Sequence, residues 1–211
     1  MPTRVKLPPV YPITDKILAG RKNHLSILKD LVRGGAQLVQ IRDKITPVGD
    51  LTRDLINCAE FAARNGVTLI VNDRCDLALG CGAAGVHLGQ EDLPPEIARF
   101  ILGPTMIVGM SVHSIAQVCS SQGLPVDYLG FGPVYPTSTK QDANPAVGLR
   151  ALKTACAASN LPVAAIGGIG LDQVRGVLDA GASSAAVISA VMGAKDIARE
   201  MNRFLKAARE R

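Results

Sequence analysis

"AQLVQIRDKITPVGDLTRDLINCAEFAARNGVTLIV", residues 36–71, holds one full period of the pattern that decides the fold. Its ends, "AQLVQI" (36–41) and "VTLIV" (67–71), are short continuous apolar runs rich in Leu, Val and Ile, as strands buried on both faces require. The segment between them, "VGDLTRDLINCAEFAARNG" (48–66), has helical spacing. It closes on Gly66, a helix C-terminal signal just before the next strand. Strand, helix and strand therefore follow each other with little spare chain.

The same alternation runs from end to end. The other apolar runs are "VYPIT" (10–14), "AGVHL" (84–88), "MIVGM" (106–110), "VDYLGF" (126–131), "PVAAI" (162–166) and "SAAVIS" (184–189), with helical segments such as "HLSILKDLVRGGA" and "LDQVRGVLDAGA" among them. Eight strand–helix units without a linker or low-complexity break predict an α/β fold, a (β/α)8 TIM barrel forming a single domain over 1–211. An open doubly wound sheet would show fewer strands at this length. The first strand also lacks the G-x-G-x-x-G turn of a dinucleotide domain.

Composition narrows the function. With 211 residues, 47% hydrophobic and 19% charged, the chain matches an ordinary globular protein. No apolar stretch approaches the roughly 20 residues that span a bilayer, and the N-terminus has no apolar core before a cleavage site. A cytoplasmic protein without a membrane partner is expected. The net charge of +5 accompanies only 3% aromatic residues and no Trp, so nucleic-acid binding is not expected, whereas small phosphorylated substrates suit scattered basic residues. The five cysteines make no C-x-x-C pair; metal clustering is not expected of them, and most should be buried as small apolar residues.

In a barrel, chemistry collects at the C-terminal strand ends, and polar residues gather there in this sequence. In "QIRDK", strand alternation puts Gln40, Arg42 and Lys44 on one face, two cations and an amide suited to a polyphosphate beside a heterocycle. Asn72 and Asp73 close the third strand, and Gln90 and Asp92 follow the fourth. Asp73 and Asp92 could hold Mg²⁺ with water and phosphate oxygens completing the shell, with Asp76 and Glu91 as nearby substitutes; helix N-capping is the competing use of such aspartates. Ser111 and His113 follow the fifth strand. "GPVYPTSTK" (132–140) follows the sixth and brings Thr137, Ser138 and Thr139 up to Lys140, hydroxyls and a cation suited to phosphate rather than to an idle turn. "IGGIG" (166–170) after the seventh strand exposes backbone N–H groups, and Ser189 closes the eighth, where barrels commonly bind phosphate. His113 lacks a visible relay partner and reads as a structural hydrogen bond or cap. His87 inside the fourth strand and His24 at a helix start do not read as catalytic. With no nucleophile elbow, the inventory suits departure of pyrophosphate, driven by charge neutralisation and positioning.

Six ordered motifs, "VQIRDK", "LIVNDRCDLAL", "GVHLGQEDLP", "VGMSVHS", "YLGFGPVYPTSTK" and "PVAAIGGI", together resemble the thiamine phosphate synthases, from "YPITD" to "AAVISAV". The resemblance implies a Mg²⁺-dependent transferase of thiamine biosynthesis. It joins 4-amino-5-hydroxymethyl-2-methylpyrimidine pyrophosphate to hydroxyethylthiazole phosphate and releases pyrophosphate. It also implies that Arg42, Lys44, Ser111 and Lys140 contact the pyrophosphate and that Asp73 and Asp92 hold the metal. Gln40 and Asn72 would address the aminopyrimidine, Thr137 and Thr139 the thiazole side, and Gly168, Ile188 and Ser189 the thiazole phosphate. Residues 141–148, "QDANPAVG", are expected to act as a lid.

Two rivals differ in kind. A related thiazole tautomerase would need no pyrophosphate grip, and a non-catalytic phosphate-sensing barrel need not keep metal and cation positions together. A sugar-phosphate isomerase would require an acid–base pair that is not evident. A homo-oligomer stays open, because sequence alone does not separate an exposed apolar helix face from a buried one.

Overall fold

The computed structural model describes residues 5–139 and 144–210. Eight strands form one parallel sheet: β1 (Val10–Pro12), β2 (Leu38–Ile41), β3 (Thr68–Asn72), β4 (Gly85–Leu88), β5 (Ile107–Val112), β6 (Tyr128–Phe131), β7 (Val163–Ile166) and β8 (Ser184–Val187). From β2 to β8 each strand pairs with the next, and β8 pairs with β1. The remaining seam, β1 to β2, is closed just past the end of β1. There Ile13 bridges Gln40 and the Thr14 N–H donates to the Gln40 carbonyl at 2.8 Å. A closed ring has no strand edge for a foreign strand to extend.

Helices cover the outside. After the first seven strands come α1 (His24–Arg33), α2 (Val48–Arg64), α3 (Cys75–Cys81), α4 (Pro95–Leu102), α5 (Ile115–Ser120), α6 (Gly148–Ala158) and α7 (Val174–Asp179). A short α8 (Ser189–Met192) follows β8 directly, and α9 (Ile197–Arg209) packs across α1 and α7. Asn23 caps α1 by accepting from the Ser26 N–H, Ser114 caps α5 from Gln117, and Asp196 caps α9 from Arg199. No described helix is long and apolar enough to cross a membrane.

Alternation along each strand divides two cores. Outward residues such as Val39, Ile41, Val86, Leu129, Phe131, Ala165 and Val187 pack under the helices. Inward ones, Tyr11, Ile13, Leu38, Ile70, Tyr128, Ala164 and Ala186, fill the barrel, with Leu7 in the same cluster. The interior also admits polar groups, since Gln40 and His87 are buried. At the opposite, N-terminal end of the strands, Arg99 clamps the barrel. Its guanidinium donates to Asp127 Oδ2 at 2.7 Å and to the Pro125, Gly103 and Met106 carbonyls, while Asp127 Oδ2 also accepts from the Val108 N–H.

Several expectations need correction. The first strand ends at Pro12 rather than running through Thr14, because Ile13 and Thr14 turn to bridge β2. Ser111 lies inside β5 rather than after it, and Ser189 opens α8 rather than closing β8. Of the five cysteines only Cys58 and Cys75 are buried; Cys81 and Cys156 are half-buried and Cys119 is exposed on α5, so most are not core residues. Their small size suits helix faces at the edge of packing as well as inside it. All five are free thiols.

Candidate active site

The C-terminal strand ends open into a cavity of about 710 Å³. Gln40, Arg42, Lys44, Asn72, Asp73, Asp92, Ser111, Thr137, Thr139, Gly168, Ile188 and Ser189 all line it. These are the residues the sequence points to, contributed by the ends of β2 through β8, except Lys140, which lies outside the described residues. The first three residues of the expected lid, 141–143, do as well; Asn144 lines the cavity and α6 begins at Gly148.

Gln40 is the last inward residue of β2, so its amide stands on the cavity floor. Arg42 and Lys44 follow it beyond the strand end. Beneath them sits a buried support. The Arg42 N–H donates to Thr14 Oγ1 at 3.2 Å, and Thr14 Oγ1 lies 2.9 Å from His24 Nδ1. His24 Nε2 is 3.0 Å from Asp43 Oδ2, which also pairs with Lys16 Nζ at 2.9 Å and accepts from the Thr46 hydroxyl. A carboxylate only accepts, so His24 donates through Nε2 and receives the Thr14 hydroxyl at Nδ1, as a neutral ring must. Burial lowers the His24 pKa, with Asp43 and Asp54 opposing it. Burial alone would raise Asp43, but the Thr46 hydroxyl, the Lys16 ammonium and the Ile45 and Thr46 N–H groups outweigh it and hold the carboxyl well below the usual range.

Asp73 and Asp92 come together on the next wall. Asp73 has φ of +64°, the one described non-glycine residue in the left-handed region, and its N–H donates to the His87 carbonyl at 2.8 Å. Left-handed aspartate is tolerated, at a cost that recurs at functional sites. Its Oδ2 is 3.1 Å from Lys44 Nζ. Asp92 Oδ2 accepts from the Gly89 N–H at 2.6 Å. Burial, and after it the facing Asp73 carboxyl, raise the Asp92 pKa, against the Gly89 N–H and Lys44. Two carboxylates held face to face repel until a cation or proton joins them. Neither caps α3, whose N-cap is Arg74 without a side-chain bond, so the competing capping use does not hold for Asp73. Among the described residues no three His, Cys, Asp or Glu side chains could hold a metal by themselves. Two carboxylates in a cavity also lined by Arg42 and Lys44 nevertheless fit Mg²⁺, which keeps waters and takes its other ligands from phosphates. Asp76 points elsewhere, forked to Arg74, while Glu91 lines the cavity.

On the far side the loops after β6, β7 and β8 converge. Thr139 Oγ1 donates to Ser189 Oγ at 3.3 Å, and Thr137 lies 3.3 Å from Thr139. Gly168, at φ +64°, faces this loop so closely that a Cβ would lie 2.4 Å from the Pro136 carbonyl oxygen. The glycines of "IGGIG" thus serve close packing, and the Gly170 N–H is taken up by Gln173 Oε1 at 3.1 Å. A second recess, lined by Thr137, Ser138, Thr139, Gly168, Gly170 and Ser189, continues the cavity here. His113 makes the structural bond expected of it. Its Nδ1 donates to the Gly132 carbonyl at 2.7 Å while its N–H donates to Gln117 Oε1.

The cavity floor rests on polar groups that look like packing residues in the sequence. Gln40 Nε2 donates to the Tyr11 hydroxyl at 2.8 Å, and Tyr11 lies 2.8 Å from the Tyr128 hydroxyl. Tyr128 in turn is 2.9 Å from His87 Nδ1, and His87 Nε2 is 2.9 Å from Ser111 Oγ. His87, read as a strand residue without chemistry, therefore lines the cavity and links Ser111 there to the buried Tyr128 hydroxyl. Gly109 makes room for this arrangement: a Cβ there would fall 2.2 Å from the Tyr128 ring.

A closed eight-stranded barrel with cations, paired carboxylates and hydroxyl loops around one mouth defines a (β/α)8 protein with a polar cavity at its C-terminal strand ends. Residues 10–191 match the family model described as thiamine monophosphate synthase. Thiamine-phosphate synthase of Desulfitobacterium hafniense (strain Y51) is 43% identical over 187 residues, covering 89% of this chain and 90% of the relative. That of Methanospirillum hungatei JF-1 is 42% identical over 195 residues, covering 92% and 95%. The solved thiamine phosphate pyrophosphorylase from Pyrococcus furiosus superposes with a TM-score of 0.87 at 36% identity, over 95% of each chain. The chain belongs to the thiamine monophosphate synthase family.

Proposed function

We propose that this chain is a thiamine phosphate synthase, joining the pyrimidine pyrophosphate to the thiazole phosphate with release of pyrophosphate. The observation that carries the reading is the convergence of twelve side chains and backbone groups, from seven strand ends, on one cavity. The floor and the β2–β5 wall take the pyrimidine pyrophosphate. Gln40 and Asn72 orient the aminopyrimidine, while Arg42, Lys44, Ser111 and Lys140 hold the diphosphate. The β6–β8 side takes the thiazole phosphate, with Thr137 and Thr139 beside the ring and Gly168, Ile188 and Ser189 on the phosphate.

Asp73 and Asp92 would hold Mg²⁺, which when bound would neutralise diphosphate oxygens and both carboxylates at once. The reaction itself is dissociative. The bond between the pyrimidine methylene carbon and the diphosphate oxygen breaks, and its electron pair leaves with the pyrophosphate. The 4-amino group delocalises the positive charge left on the methylene. The thiazole nitrogen lone pair then forms the new C–N bond, giving thiamine phosphate without any proton transfer to the protein. Arg42, Lys44 and Lys140 favour this sequence by stabilising the charge that grows on the leaving oxygen. No enzyme nucleophile is needed.

Both substrates are multiply charged and do not cross a bilayer unaided, which supports placing the reaction in the cytoplasm. The two-sided reading is tested by titrating each half-substrate separately by calorimetry. Arg42→Ala is expected to weaken the pyrimidine pyrophosphate by roughly tenfold or more and leave thiazole phosphate binding intact, as loss of a charge-assisted bond predicts. Thr139→Ala should do the reverse, more mildly. Equal losses for both ligands in both variants would contradict the division of the cavity.

A further inference from the structure

Five groups on the floor are linked in series: Gln40, Tyr11, Tyr128, His87, Ser111. Such a row has two internally consistent senses, because each hydroxyl or ring passes on one proton. In the observed sense Gln40 donates inward through Nε2, which leaves its Oε1 as the acceptor at the pyrimidine end. Tyr11 then donates to Tyr128, Tyr128 to His87 Nδ1, and His87 Nε2–H to Ser111 Oγ. The Ser111 proton is thereby released toward the cavity. In the opposite sense Gln40 would turn its amino group outward and the Ser111 proton would be spent on His87.

The two senses offer opposite surfaces to a ligand. The observed one presents an acceptor for an exocyclic amino group and a donor for an anion; the other presents a donor and a lone pair. We propose that Tyr11, Tyr128 and His87 are positioning residues that lock this polarity, so that reading the amino group at Gln40 and gripping the anion at Ser111 are coupled across the barrel floor. The inference rests on the roles given to Gln40 and Ser111 above. Burial supports it, because no water can reach the tyrosine hydroxyls to supply an alternative partner: Tyr11 and Tyr128 are 1% and 0% exposed. The rings are fixed as well, Tyr11 edge-on to Tyr128 at 6.0 Å between centroids and His87 tilted on Tyr128 at 5.4 Å.

Two measurements test it. In wild-type protein at pH 8, long-range ¹⁵N–¹H correlation on ¹⁵N-histidine should show His87 as the neutral Nε2–H tautomer, both free and with inorganic pyrophosphate added. An Nδ1–H tautomer or an imidazolium would overturn the polarity, whatever the enzyme catalyses. The second is a double-mutant cycle on the KM for the pyrimidine pyrophosphate. Tyr11→Phe should raise it roughly tenfold, about the worth of one or two hydrogen bonds, and leave the KM for thiazole phosphate unchanged. In a Ser111→Ala background the same substitution should raise it no more than about threefold, because no hydroxyl remains to be oriented. Equal effects in both backgrounds would overturn the coupling. Absence of product from wild type would refute the synthase reading, and the His87 tautomer would still decide the polarity of the row.

Discussion

Asp92 shows how one residue carries opposed demands. Facing Asp73, its carboxylate is raised in pKa by burial and by that neighbour, which makes the metal-free ionised pair a repulsive feature. Asp92→Asn removes the repulsion and leaves an amide oxygen to accept the Gly89 N–H. The variant is expected to melt higher than wild type in chelator at pH 7, while losing at least roughly tenfold in activity at limiting Mg²⁺. Differential scanning calorimetry and a Mg²⁺ titration of rate check the two halves. A lower melting temperature would show that the pair attracts through a shared proton instead. Arg42, Lys44, Asp73 and Asp92 were legible in the sequence because charge directly after an apolar run is conspicuous. Tyr11 and Tyr128 were not. Each sits inside an apolar run and reads as packing, and their hydroxyl contact joins positions 117 apart in the chain. His87 was hidden the same way, since its partners come from β5 and β6 rather than from its own strand.

At the scale of elements, the barrel separates a working end from a bracing end. The Arg99–Asp127 pair ties α4 to the starts of β5 and β6, with Asp127 almost wholly buried and accepting from both Arg99 and the Val108 N–H. Asp127→Ala strands the guanidinium among carbonyls and should cost about 3 kcal/mol of stability, with kcat per folded molecule unchanged. Urea unfolding alongside an activity assay tests both parts. Ser184 at the start of β8 is the converse. Its hydroxyl is buried without a partner among the described residues. Ser184→Ala is expected to raise stability by about 1 kcal/mol, since nothing compensates the desolvated hydroxyl. Strand order and helix placement were readable from period alone. Details that depend on cross-strand contact were not: where β1 stops, and why "IGGIG" must be glycine against the Pro136 loop. The exposed Cys119 escaped for a similar reason, since burial of a small residue is decided by neighbours far along the chain.

For the whole molecule, acid weakens the fold through groups that also support the site. His24 has its pKa lowered by burial, so the unfolded chain binds the proton more readily than the fold. Stability therefore falls as pH drops below the unfolded histidine value of about 6.5. Asp43, held low in the fold, adds a second loss as pH passes below the ordinary carboxylate range. Protonating His24 at Nδ1 also removes the acceptor of the Thr14 hydroxyl that helps to seat Arg42. Unfolding free energy followed from pH 8 to pH 5 should decline, and His24→Gln should flatten the decline between pH 6.5 and pH 5. An unchanged slope in the variant would assign the acid sensitivity elsewhere.

In the proposed function this one cavity brings two phosphorylated halves together and releases pyrophosphate. The first experiment supplies both halves to the purified protein, with Mg²⁺ and then with chelator, and quantifies thiamine phosphate and pyrophosphate together. Equal amounts of the two products are expected with Mg²⁺, and little of either in chelator. Tight thiazole phosphate binding without product would contradict it and point to a tautomerase or a phosphate sensor.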